Sequence, residues 1–75
     1  MAGGVDVVAL REAIDRSGYK LQYIAEQCGL TYQGFLPKLK GEREFTVRES
    51  WILKELLHLS DDEWKAIFFS AKVAF

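Results

Sequence analysis

What this 75-residue chain has little of already narrows its chemistry. It has one cysteine, Cys28, which excludes an internal disulfide and fits a reduced cytoplasm. No run approaches the ~18 apolar residues of a membrane span, and none has a signal-peptide layout, so no membrane partner is expected. The one histidine, His58, has no Cys or His at zinc-ligand spacing and no nucleophile pair, so no metal, other cofactor or catalytic constellation is expected. The chain therefore reads as a non-enzyme. Strand-like alternation, repeats and low-complexity linkers are missing, which leaves helices. A surplus of one charge is missing too: the net charge is −1, where most nucleic-acid binders are basic. From Lys20 to Glu49, five cations face four carboxylates, a local balance of +1 against −2 for the rest. Electrostatic steering should be weak, so affinity for any polyanion needs specific contacts and two copies.

What is present is apolar. Hydrophobic residues make up 49% of the chain, with five Phe, three Tyr and two Trp, which argues for a packed fold. The length allows one domain, residues 1–75, with a core over about residues 5–70 and a loose tail at Met1 to Gly4. Asp6 can cap a first helix running to Ser17, with Val7, Leu10 and Ile14 on one face and Gly18 as its stop. Thr46-Val47-Arg48-Glu49 and Ser60-Asp61-Asp62-Glu63 are capping boxes that open a fourth and a fifth helix. Trp51 is expected in the core, and so are Trp64, Ile67, Phe68 and Ala71 as the inner stripe of the last helix. Phe69, Val73 and Phe75 form an apolar surplus that suggests a homodimer contact.

The most organised segment is Leu21 to Gly41. Leu21, Ile24, Ala25 and Cys28 recur at i, i+3, i+4 and i+7 and line one face of a short helix. Gly29 can close it in the left-handed conformation, Leu30 plugs the turn, and Thr31 can cap a second helix that turns Phe35, Leu36 and Leu39 inward and ends at Gly41. Ala25 supplies the small side chain that two helices crossing at a short turn require. The segment reads as a helix-turn-helix, which points to double-stranded DNA.

Together with Ser17-Gly18, Lys20-Leu21-Gln22-Tyr23-Ile24-Ala25, Lys38-Leu39-Lys40-Gly41, Phe45-Thr46 and Ile67-Phe68-Phe69, this segment resembles the lambda repressor and Cro-like helix-turn-helix family of small phage regulators. The resemblance covers roughly residues 5–70. It implies an all-α, compact five-helix domain like that of the lambda repressor, with the helix-turn-helix as helices 2 and 3. It further implies a sequence-specific transcriptional regulator in the cytoplasm of a bacterial or phage-infected cell, binding as a dimer to a two-fold operator.

Within that implied arrangement the recognition helix spans about residues 31–40, and its outward side carries Gln33, Gly34, Pro37 and Lys40. Gln33 is the best base reader, because a Gln pairs bidentately with adenine in the major groove. Tyr32 shares the first turn, although its spacing also permits inward packing. Candidate backbone contacts are Lys20, Gln22, Thr31, Lys38, Lys40, Arg43 and Arg48. Two departures from the family pattern stand out. Pro37 is the sixth residue of the recognition helix, where it removes a hydrogen bond to the Gln33 carbonyl and should kink or split the helix. Lys20-Leu21 replaces a Thr-Gln pair found in many relatives, leaving Gln22 one position late. The rival reading keeps the scaffold but binds protein, as an antirepressor, antitoxin or adaptor.

Overall fold

The computed structural model describes residues 5–69. Five helices occupy them: α1 (Val7–Ser17), α2 (Leu21–Gln27), α3 (Tyr32–Leu39), α4 (Val47–Leu56) and α5 (Asp61–Phe68), with no strand among the described residues. The fold is all-α. Ala71, Val73, Phe75 and the expected tail at Met1 to Gly4 lie outside the described residues.

Local chemistry sets most of the boundaries. Asp6 accepts from the Ala9 N–H, and Thr31 from the Gly34 N–H, so the free donors of α1 and α3 are partly satisfied. Thr46 with Glu49 and Ser60 with Glu63 form complete capping boxes, as their spacing predicts. At the other end of α2, Gly29 is left-handed (φ 76°), and the N–H groups of Gly29 and Leu30 donate to the carbonyls of Glu26 and Ala25. This pair of bonds is a Schellman motif. Gly41 (φ 84°) closes α3 in the same way, with Glu42 donating to the Pro37 carbonyl. Helix α4 closes likewise, but the left-handed residue is His58 (φ 57°), which pays for its Cβ there.

Every helix contributes to one core. Leu10, Ile24, Phe35, Leu39 and Leu53 are essentially inaccessible, and Ile67 and Phe68 of α5 complete the cluster. Phe45, in the loop between α3 and α4, bridges edge-on to Phe35 (ring centroids 6.1 Å) and to Phe68 (5.5 Å). Such arrangements add to area burial by matching ring edge to ring face. The Asp6 N–H donates to the Ile67 carbonyl at 2.7 Å, tying the entry to α1 onto α5. The buried hydroxyl of Ser50 accepts from Trp64 Nε1 and donates to the Val47 carbonyl, so the one polar side chain of the core is paired.

Two expectations are corrected. Trp51 is 46% exposed, and Trp64 only partly buried. Trp64 packs against the rim of the core with its Nε1–H on the buried Ser50, and Trp51 lies outside it at 4.8 Å with the rings tilted by 43°, because Ser50 and Leu53 take the buried positions of α4. Pro37 neither splits α3 nor ends it, since the helix is continuous from Tyr32 to Leu39. Only one donor is lost, its i−4 carbonyl belongs to the exposed Gln33, and the Pro37 carbonyl is itself bonded by Glu42 and Arg43.

Two substitutions test this account by chemical denaturation. Phe35→Ala is expected to cost about 3–5 kcal/mol through the cavity it leaves. His58→Gly is expected to raise stability by about 0.5–1 kcal/mol by relieving the left-handed backbone.

Candidate nucleic-acid interface

The candidate surface is built on α3 and the turn that precedes it. Cys28 to Thr31 separate α2 from α3, the two helices pack against each other, and Ala25 of α2 is fully buried. Burial of Phe35 and Leu39 anchors α3 along one side. The remaining positions turn outward: Tyr32, Gln33 and Lys40 are exposed, and Gly34, Leu36, Pro37 and Lys38 are half-buried. Tyr32 therefore does not pack inward, and Leu36 is less enclosed than its spacing suggests. Thr31 is exposed, with its hydroxyl committed to the Gly34 N–H at 3.0 Å. A Cβ on Gly34 would stand only 3.1 Å from that hydroxyl, so glycine keeps the cap uncrowded and the first turn low.

The cations divide into two groups. Lys20, Lys40, Arg43 and Arg48 are exposed and make no ion pair among the described residues. Lys38 differs. Its ammonium lies 2.6 Å from Glu49 Oε1, and both side chains are largely covered, at 15% and 12% exposure. As placed, Lys38 is not offered to a phosphate. Gln22 is exposed in the first turn of α2, next to Lys20 and to Tyr19 and Tyr23. The two tyrosine rings pack with centroids 5.0 Å apart and remain exposed, adding hydroxyl groups to that end of the surface. Tyr19 precedes the N-cap Lys20, so this pairing is not one that helical spacing signals in the sequence. The Lys38–Glu49 pair has no local signal either.

Cys28 lies beneath this surface. Burial first, and the Glu49 carboxylate second, push its thiol up to about 11 against the downward pull of the Lys38 ammonium. A thiol that ionises later in the folded chain contributes stability that is fully present below its ordinary pKa of 9.0 and is lost as pH climbs through the folded value. Cys28 is a core residue, protonated near neutrality. Metal-binding clusters of His, Cys, Asp and Glu are absent among the described residues.

A second exposed surface lies across α4 and α5. Val47, Trp51 and Phe69 are exposed, and Phe69 meets Trp64 edge-on at 5.1 Å. Beside them is a cleft of about 210 Å³, lined mainly by Val5, Phe45, Val47, Phe68 and Phe69. Of the residues expected at a dimer contact, Phe69 belongs to this surface, while Val73 and Phe75 fall outside the described residues.

Lys40 provides the cleanest test of the α3 surface. If this surface meets DNA, Lys40→Ala is expected to leave the melting temperature unchanged, to weaken binding to all DNA sequences alike, and to reduce the slope of log K against log salt by about 0.9. Fluorescence anisotropy across a salt series measures it.

Compared with known family models, curated proteins and solved structures, the chain matches none.

Proposed function

We propose that this chain is a non-enzymatic, sequence-specific DNA-binding regulator of the phage repressor and Cro type, acting in the cytoplasm, in which α3 enters the major groove. The observation that carries this reading is the outward face of α3. A two-turn helix, anchored by Phe35 and Leu39, presents Gln33 beside the bare backbone of Gly34, with Pro37 and the unpaired Lys40 further along. Gln33 supplies the donor and acceptor pair that matches adenine, and Pro37 can touch a thymine methyl. Gly34 lets the backbone approach the base edges. Lys20, Gln22, Thr31, Arg43 and Arg48, all exposed, are the proposed backbone contacts, with Tyr19 and Tyr23 as further exposed donors. Lys38 leaves that set because Glu49 holds it.

A module with net charge −1 needs a second copy for useful affinity. The apolar surface of Val47, Trp51 and Phe69 offers the contact for one, and reading two half-sites requires the pair to hold its two α3 helices one DNA turn apart, roughly 34 Å. The same surface is what favours the second reading, a protein-binding module on this scaffold.

Selection from random-sequence duplexes at near-physiological salt is expected to recover a palindrome. Gln33→Ala then costs about 1–3 kcal/mol on that site and relaxes one base position per half-site. Failure to enrich any sequence favours the protein-binding module. For the dimer, Val47→Glu places a charge on the apolar surface while suiting the first turn of α4, where an acid is favoured by the helix dipole. Sedimentation is expected to show a dimer converted to a monomer; an unchanged mass excludes this surface.

A further inference from the structure

We infer that Lys38 and Glu49 are the positioning residues of the α3 surface, their ion pair clamping the last turn of α3 onto the start of α4. The inference rests on the reading of α3 as the base-contacting helix. Glu49 Oε1 takes two bonds at once: from the Lys38 ammonium at 2.6 Å and from the Thr46 N–H at 3.0 Å. The Glu49 N–H in turn donates to Thr46 Oγ1 at 3.0 Å. The carboxylate is therefore already fixed by the capping box before it meets Lys38, and it offers a rigid anchor rather than a mobile surface acid. Because both side chains are mostly covered, the pair is weakly screened by salt.

Its place along α3 gives the clamp its purpose. Pro37 deletes the backbone bond that would tie the last turn of α3 to its first turn at the Gln33 carbonyl. The very next residue, Lys38, carries the tie to α4. A long-range bond thus substitutes for the missing local one, and it acts between Pro37 and Lys40, two residues of the outward face. The clamp keeps that turn in register with Gln33, so that base and phosphate contacts are made together. Lys38 contributes through geometry and not through a phosphate.

The double variant Lys38→Met/Glu49→Gln tests this. It removes both charges together, leaves no lone buried ion, preserves net charge, and keeps an amide oxygen for the Thr46 N–H. Affinity for the selected duplex should fall roughly tenfold with an unchanged salt slope, and the amides of Lys38, Leu39 and Lys40 should exchange faster relative to those of α1. Lys38→Arg, which can still reach Glu49, should restore slow exchange. A slope smaller by about 0.9 would make Lys38 a phosphate contact and overturn the inference. Unaltered exchange in the double variant would also overturn it. If the unsubstituted chain selects no sequence, the DNA reading fails by itself, and exchange still decides whether the pair holds α3.

Discussion

Burying the Phe35 ring sets the rotation of α3 about its own axis. Phe35 is inaccessible, and Leu39, one turn later, is nearly so. With about 3.6 residues per turn, two anchors four positions apart leave little choice for the rest. Gln33, Pro37 and Lys40 must face away from the core, whatever their own preferences. Phe45 and Phe68 extend the anchor edge-on to the α3–α4 loop and to α5, so the last helix supports the orientation of the third. A surface of one short helix is thereby held by packing that spans the whole described chain.

Charged residues make up 28% of the chain, yet only three ion pairs join them among the described residues, and each ties two elements together. Lys54 illustrates the pattern: its ammonium sits over the Trp51 and Trp64 rings and bonds Asp61 at 3.0 Å, holding that carboxyl below its usual range. Arg16 reaches Glu63 across α1 and α5 at 3.6 Å, between exposed groups where such pairs contribute little. Lys38 is spent on Glu49. Around α3, the cations left outside any ion pair among the described residues are Lys20, Lys40, Arg43 and Arg48, few enough that the proposed DNA reading relies on sequence-specific contacts and a second copy.

The helix ends were legible in the residues because each end is a local event. Asp6, Thr31, Thr46 and Ser60 cap where a side-chain oxygen can reach the next turn, and Gly18, Gly29 and Gly41 take the left-handed backbone that closes α1, α2 and α3. Phe35 and Leu39 were legible from periodicity. The site was legible only in part. Nothing local distinguishes a solvated Lys38 from one bonded to a residue eleven positions on, and Glu49 was already accounted for as a capping acid. Bulk and hydrophobicity point Trp51 inward, whereas on α4 Ser50 and Leu53 take the buried positions and Ile52 and Leu56 pack beside them. Pro37 looked like a break because a mid-helix rule takes no notice of a helix that ends two residues later.

The central claim is that the outward face of α3 meets DNA. Amide chemical-shift mapping tests it most directly, using a mixed-sequence duplex at low salt, where sequence-independent contacts are already populated. The account predicts that the largest shifts fall on Tyr32, Gln33, Gly34 and Lys40, with smaller ones at Lys20 and Gln22, and that Val47, Trp51 and Phe69 stay unmoved by DNA. Shifts confined to Val47, Trp51 and Phe69, or none at all, would contradict it.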